Sequence, residues 1–554
     1  MDFSGSSLRS QDVLLAALVS VACFGAITVV HLYKNVYSYW TRKGIRGPTP
    51  LPIFGNFLSI LFRNQMKRHM EWMNNYGKIY GTYFGTKPRL VIADPEVMQQ
   101  VCIKDFDAFQ DHDLLEFFNK YQKNFLFFLK GDHWKKVRAM MTPTFTSGKI
   151  KRMFRFLDEC ANDLIQCFEE QLIEKGGKEA VVNAKDTYSL FTMDAIATCC
   201  YGLKLERSGS KDIKSAASRN RFVDLGMRLF QFNYLRVLFS VMMPKPFLRM
   251  INYKLTPESI LDPLAKVVDQ LIQKRRSSTK KYDDYLQLLV DARLHDEMDL
   301  NETDSAENHH AGLSQKSVVE DQRKMVEEVE ATVKYSKVEL SELEILSGSM
   351  FLLMVGLETT GTLLTHCSYA LAFHPEIQER LHDELLKIVE FNDDKSKFCF
   401  SYETLTACNY LDSVLSETLR IVPAVVQIDR ISNRDYKIEK YNLDLPKGSV
   451  LMLAMHALMN DPDWWEEPTK FNPDRFMPGN KEKIVPGSYC PFGIGPRHCI
   501  GMRFSLTEAK LALAKMVMKF RFEPAPNAVF PPEIKLGIGL NRLKYPMVKI
   551  IPRA

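Results

Sequence analysis

None of the eleven cysteines in this 554-residue chain falls into a C-x-x-C pair, so the tight ligand spacing of a structural zinc centre is missing. Their scatter also lacks the spacing of a disulfide framework, which favours a reducing, cytosol-facing compartment. No G-x-G-x-x-G unit occurs, so the chain brings no dinucleotide- or flavin-binding domain of its own. Dense basic runs interleaved with aromatics are absent and the formal net charge is only +6, which gives no reason to expect a nucleic-acid partner. No segment of roughly 20 to 50 residues repeats itself, and that excludes a solenoid. What remains is ordinary globular composition, 25% charged and 46% hydrophobic. The length admits several domains or one large core with an appended segment.

The appended segment stands at the N-terminus. Val13 to Tyr33 is almost uninterrupted apolar sequence, long enough at about 1.5 Å per residue to cross a hydrocarbon core about 30 Å thick. A cleaved signal peptide has a shorter apolar run and a more basic start. Here Asp2, Arg9 and Asp12 precede the run, and Lys34, Arg42, Lys43 and Arg46 follow it. The basic side belongs in the cytosol, so residues 1–34 are expected to be a single-pass anchor with the bulk of the chain facing the cytosol. Gly47-Pro48-Thr49-Pro50-Leu51-Pro52 then sets prolines at alternate positions, which makes a stiff, extended strut. Residues 35–52 read as a basic, proline-rich hinge, and 53–554 as the globular domain.

Within that domain Gln65 to Tyr76 has a helical pattern, and Ile79 to Ala93 alternates like a strand pair broken at Gly85-Thr86-Lys87-Pro88. Beyond Asp94-Pro95 nearly everything to Ala424 reads as helix, with apolar periods near Met153 to Phe168, Leu190 to Tyr201, Ile260 to Ile272, Ile345 to Phe373 and Glu376 to Val389. The fold class is therefore mainly α with a small β-sheet region. Residues 295–334 are rich in Glu and Lys and poor in large apolar groups, and read as a mobile surface insertion. Leu229 to Tyr253 is too aromatic for a free loop. It reads either as a second membrane contact or as core packing.

The residue that most needs explaining is Cys499. It lies in Phe492-Gly493-Ile494-Gly495-Pro496-Arg497-His498-Cys499-Ile500-Gly501, just ahead of Met502 to Lys519, whose Phe504, Leu506, Leu511, Leu513, Met516 and Val517 keep a helical period. A helix N-terminus favours anions and lowers a thiol's pKa toward the thiolate that a metal needs. Glycines on both sides let the backbone approach something large and flat, Phe492 can screen the sulfur, and Arg497 can neutralise an acidic group. A haem with a cysteine axial ligand fits all of these roles. An inert structural cysteine, or a zinc site drawing on Cys490 and His498, are the competing readings.

The run resembles the F-x-x-G-x-R-x-C-x-G motif of the cytochrome P-450 family at every specified position, namely Phe492, Gly495, Arg497, Cys499 and Gly501. The resemblance covers roughly Gly47 to the C-terminus. It implies that family's fold behind a transmembrane helix, with the iron of haem b held by the Cys499 thiolate. Val355-Gly356-Leu357-Glu358-Thr359-Thr360 interrupts a long apolar helix with polar groups that are costly to bury unless hydrogen-bonded, and suggests a proton path or a kink. It is similar to the family's [AG]-G-x-[DE]-T-[TS] pattern, which implies that Gly356 opens space for dioxygen, Glu358 relays protons and Thr359 is the oxygen-activating hydroxyl. Val355 replaces the small residue usual there and narrows the expected pocket.

Glu417 and Arg420 share one helix face, and an exposed pair of this kind would mean little. With Arg475 in Phe471-Asn472-Pro473-Asp474-Arg475-Phe476 they resemble the family's E-x-x-R and P-x-R-F segments, which implies a buried triad that organises the haem pocket. Trp134 and Arg138 resemble its W-x-x-x-R helix and, with Arg430 and Arg497, are implied to hold the two haem propionates. Lys135 and Lys136 then face elsewhere, toward an acidic electron donor or toward solvent alone. Phe106, Phe109, Phe117, Phe118, Phe125, Phe127 and Phe128, with Phe351, Met354, Val355, Ala424, Val425, Val426, Leu536 and Ile538, are candidate walls of an apolar substrate pocket, about half of which would serve equally as core.

The resemblance is to animal microsomal members of the family. It implies a monooxygenase of the endoplasmic reticulum membrane that inserts one atom of dioxygen into a lipophilic xenobiotic, sterol or fatty acid. Electrons are expected from NADPH through a flavoprotein reductase, with cytochrome b5 as a second candidate donor. An isomerase or dehydratase that rearranges a lipid peroxide without reductase is the alternative within the fold, and Glu358-Thr359 argues against it. A non-catalytic membrane haem carrier or sensor needs the thiolate but not the acid-alcohol pair.

Overall fold

A 32-residue helix, Glu342–Phe373, runs through the core. It opens on a capping box in which the Ser341 hydroxyl accepts from Glu344 N–H while the Glu344 carboxylate accepts from Ser341 N–H. It ends at His374 because Pro375 cannot continue it and instead starts the next helix, Pro375–Leu386. Apolar on nearly all sides, it is covered by the helices Ala184–Tyr201, Glu258–Ser277, Asn409–Ile421 and Met502–Lys519. This computed structural model describes residues 5–113, 117–204, 233–280, 282, 284–291, 340–391, 398–536 and 540–553. The expected insertion at 295–334 lies outside them, as do Phe230, Phe232 and Ile538.

A four-stranded sheet lies near the N-terminal end, in the order Ile79–Phe84, Lys87–Ile92, Val450–Leu453, Ile428–Ile431. The first pair is a hairpin closed at Gly85, where φ is +60°. The expected four-residue break is shorter, because Lys87 and Pro88 belong to the second strand. Pro88 is tolerated because pairing with Val450–Leu453 begins only at Arg89. A second, antiparallel sheet joins Ala180–Asn183, Met547–Pro552 and Phe520–Pro524. Its first strand lies inside the stretch read as helix, and at four residues it has no periodicity to betray it.

The N-terminal helix Gly5–His31 passes into a π-helical turn, Leu32–Val36. Val13, Leu14, Leu15, Leu18, Phe24 and Ile27 are all exposed, and the most apolar stretch of this span has a mean hydropathy of 2.6 with none of it buried. It is an apolar rod with no protein over it, long enough to cross a membrane. Within the expected hinge, Tyr37 and Trp40 are buried. The Trp40 indole donates to Thr82 O at 3.2 Å, and its ring occupies the place where a Cβ on Gly81 would come within 2.2 Å. Two aromatic rings thus dock part of this segment onto the first sheet.

The described part of the aromatic stretch forms two helices, Tyr234–Met242 and Lys245–Met250, divided at Pro244. Val237 and Leu248 face inward, whereas Leu235, Met242, Phe247, Met250 and Ile251 are exposed. The segment is therefore core on one side and open apolar surface on the other.

Candidate haem-thiolate site

The loop before Met502–Lys519 is shaped by two glycines with positive φ, Gly493 at +81° and Gly495 at +76°. A Cβ on Gly495 would lie 1.8 Å from Cys102 O, so no larger residue fits. Hydrogen bonds from His498 N–H to Gly495 O and from Cys499 N–H to Phe492 O, both 2.9 Å, turn the chain at Cys499. Among residues 492–501 Cys499 alone is exposed, while Phe492 beside it is half-buried. Surrounding protein pushes its thiol up, and the Gly501 N–H and the Arg138 guanidinium oppose that shift. Gly501 is the helix N-cap and supplies no side-chain cap.

The Arg138 guanidinium acts on this sulfur, and Arg497 lies within electrostatic reach of both Arg138 and Arg430. Arg138 comes from Gly131–Met141, and burial draws its pKa down to about 10, with Cys499 the opposing influence. No carboxylate among the described residues pairs with it. Arg430, on Ile428–Ile431, is fully buried. Its Nη1 donates to Asp429 O at 2.8 Å, but Nε and Nη2 have no partner. Arg497 is more committed, donating from Nε to Gln110 O at 2.8 Å and from Nη2 to Leu129 O at 2.7 Å, with Asp111 Oδ1 at 3.3 Å. Burial first and Arg430 second pull its pKa down to about 8. The buried Trp134 ring lies 3.9 Å beneath the Arg497 guanidinium.

Buried cations without counter-charge are costly. A bound group with two carboxylates and a metal for the sulfur resolves that cost, so the residues present fit a haem. They do not fit zinc: Cys490 is fully buried, and no group of three or more His, Cys, Asp and Glu side chains gathers among the described residues to hold a metal. His112 belongs to the same cluster and has no sequence signal. It stacks on Phe127 at 4.0 Å, lies 3.3 Å from Asp429 Oδ1 and 3.4 Å from Arg430 Nη1, and is pushed down to about 4 by burial and Arg430.

The polar turn of the central helix meets the cysteine's helix through Thr360 Oγ1 and Ser505 Oγ, 2.9 Å apart. Thr359 is half-buried and donates to Val355 O at 2.9 Å. Glu358 is fully buried between two cations the sequence reading missed, Arg542 Nε at 2.7 Å and Lys185 Nζ at 3.2 Å. Gly356 has its missing Cβ aimed at Ile196, whose Cδ1 would be 2.5 Å away, so that space is taken up by the neighbouring helix. Phe125 and Phe351 meet at 5.2 Å, whereas Phe106 packs on Trp134 and Phe109 on Tyr436 in the core. Lys135 lies 3.5 Å from Asp132.

Glu417 and Arg420 form a bidentate pair with both side chains fully buried, at 2.7 and 2.9 Å. Arg475 Nε lies 3.4 Å from Glu417 Oε1, which also accepts from Asn472 N–H at 2.9 Å. Arg420 donates further to Met459 O and Pro468 O. Tyr489 OH donates to Ser416 O at 3.1 Å, which links this network to the approach of the cysteine loop.

Glu508 is a second buried acid, and burial raises its pKa well above the usual 4.5, opposed by the Thr360 hydroxyl. Above 4.5 the unfolded chain gives up this proton while the fold keeps it, so the unfolded state binds fewer protons and stability falls as pH rises. Glu508→Gln is therefore expected to raise Tm, by more at about pH 8 than at about pH 5. Parallel Tm curves for variant and wild type would rule this out.

An exposed thiol at a helix mouth, with Arg138 and Arg430 nearby in the fold and no acid paired to either among the described residues, fits a thiolate-ligated haem. A model of the cytochrome P450 family matches residues 45–548. The chain is 31% identical to cytochrome P450 3A16 of Mus musculus over 556 residues, covering 99% of this chain and 98% of that one. It is 31% identical to cytochrome P450 3A5 of Homo sapiens over 534 residues, 94% of each. The chain belongs to the cytochrome P450 family. It is accordingly a monooxygenase of the oxidoreductase class, a haem-iron protein with a cysteine thiolate ligand.

Proposed function

We propose that this protein is an endoplasmic-reticulum monooxygenase that oxidises a lipophilic small molecule, with Cys499 as the axial ligand and electrons drawn from NADPH through a flavoprotein reductase, cytochrome b5 being a second candidate donor. The observation that carries the reading is the accessible Cys499 sulfur near Arg138, in a cluster with Arg430 and Arg497 where neither Arg138 nor Arg430 has an acid partner among the described residues. When bound, the haem supplies the iron chemistry that activates dioxygen, with electron density donated by the sulfur. Arg138 and the free Nε and Nη2 of Arg430 bind its carboxylates. Arg497, tied to Gln110 O and Leu129 O, holds the loops on that side, with Trp134 as its platform. Gly501 N–H stabilises the thiolate. Phe125 and Phe351 give the substrate side an apolar wall that excludes water.

Residues 1–34 act as the anchor, 35–52 as the hinge and 53–554 as the haem-binding catalytic domain on the cytosolic side. The exposed Leu235, Phe247 and Met250 suit a second membrane contact. Glu417, Arg420 and Arg475 hold the haem pocket's geometry. Glu358 and Thr359 deliver protons: the Glu358 carboxyl, between Arg542 and Lys185, passes a proton inward, and the Thr359 hydroxyl orients the last step.

Oxygen consumption that requires NADPH and reductase, with a substrate panel showing products heavier by one oxygen atom, is the expected result. Reductase-independent rearrangement of a lipid hydroperoxide, without oxygen uptake, would instead establish the isomerase reading. In the same assay Thr359→Ala should keep haem but lower product per NADPH by about tenfold or more, the balance appearing as peroxide or water. Unchanged coupling removes Thr359 from the proton path.

A further inference from the structure

The helix Ala184–Tyr201 turns one face, carrying Lys185, Ser189, Thr192 and Ile196, toward the turn that bears Glu358 and Thr359. The approach is close because the turn is flanked by glycines. A Cβ on Gly356 would meet Ile196 Cδ1 at 2.5 Å, and one on Gly361 would lie 3.3 Å from Lys185 Nζ and 3.5 Å from Ser189 Oγ. At that range two side chains reach the backbone of the central helix. Thr192 Oγ1, fully buried, donates to Leu357 O at 2.7 Å, and Lys185 Nζ donates to Glu358 O at 3.1 Å. Thr362 Oγ1, from the same helix, also donates to Glu358 O at 2.7 Å.

In a regular helix the carbonyls of Leu357 and Glu358 serve the amides of Gly361 and Thr362. Outside donors compete for them, tilt them away from the axis and loosen the ladder at that point. These are successive carbonyls, and they belong to the two residues immediately before Thr359. The donors are aimed at backbone, so their effect is on the path of the helix.

We propose that Thr192 and Lys185 are positioning residues that hold open the turn before Thr359 and so set the direction of its hydroxyl. The functional half of this statement rests on the reading of Thr359 given above. Hydrogen exchange on the full-length, haem-loaded protein tests the geometric half without turnover. Thr192→Val keeps the volume and removes the donor. It should slow exchange of the Gly361 amide by about fivefold or more, while Thr192→Ser stays near wild type. Lys185→Gln, read at the Thr362 amide, makes the same test if Thr192→Val does not fold. Turnover should then show a larger peroxide share in Thr192→Val, restored in Thr192→Ser. Unchanged exchange at both amides overturns the proposal, even if Tm falls, because packing alone then accounts for these contacts. Changed exchange with unchanged peroxide share overturns the claim on Thr359's direction. If Thr359→Ala itself leaves coupling intact, the role of Thr359 fails while the exchange result stands by itself.

Discussion

Cys499→Ser is expected to abolish the thiolate-type Soret band of the reduced, carbon-monoxide-treated protein and to lower turnover by at least about a thousandfold, equivalent to about 4 kcal/mol of barrier. The physical reason is the loss of a soft, electron-donating ligand: a serine hydroxyl keeps its proton at neutral pH and binds iron weakly. Folding should survive, because the side chain is exposed and its named protein contacts are the Gly501 N–H and the Arg138 charge. The apoprotein's Tm should therefore stay within a few degrees of wild type, and that separates ligand loss from unfolding. Cys490 cannot substitute, since it is fully buried and burial pushes its thiol far up. A thiolate-type band that persists in Cys499→Ser would sink the assignment.

Glu417→Ala should cost about 3–5 kcal/mol of stability, a large part of the roughly 5–15 kcal/mol that holds a typical domain together. It leaves Arg420, fully buried, without its bidentate partner and removes the oxygen that Asn472 N–H and Arg475 share. An exposed pair at the same spacing would be worth a few tenths of a kcal/mol, so magnitude alone decides between the two. Arg420→Ala should be comparably severe, since it also strands the carbonyls of Met459 and Pro468. Glu417→Gln keeps the volume but not the charge and should fall between. Denaturant unfolding together with haem retained on purification would measure this. A loss below about 1 kcal/mol for Glu417→Ala would mean that the triad does not organise the pocket.

Local pattern made much of this legible in advance. Gln65–Tyr76 and Met502–Lys519 have the expected bounds, the first with Asn64 capping one end and Gly77 closing the other. Glu417, Arg420 and Arg475 meet as their motifs imply. Other residues resisted reading for a common reason. His112 stands alone in an irregular stretch, and only the fold brings it to Arg430 and Asp429. Trp40 sits in a segment whose charges and prolines suggest a strut, yet its ring needs the bare backbone of Gly81. Gly356 lies in a motif associated with dioxygen, but what its missing Cβ meets depends on Ile196 in another helix.

The sequence by itself determined the apolar N-terminal helix, the succession of helices and the residue types of the site, because hydropathy period, capping and motif spacing act between neighbours along the chain. Tertiary structure alone decided which groups surround and hold those residues. Glu358 lies against Lys185, 173 positions away, and against Arg542 from the C-terminal segment that Asn541 ties to Ala424 O. Glu508, equally buried, has no ion-pair partner among the described residues, and burial raises its pKa well above 4.5. Two glutamates of one core have such different neighbours because the distance to opposite charge is set by segments remote in the chain.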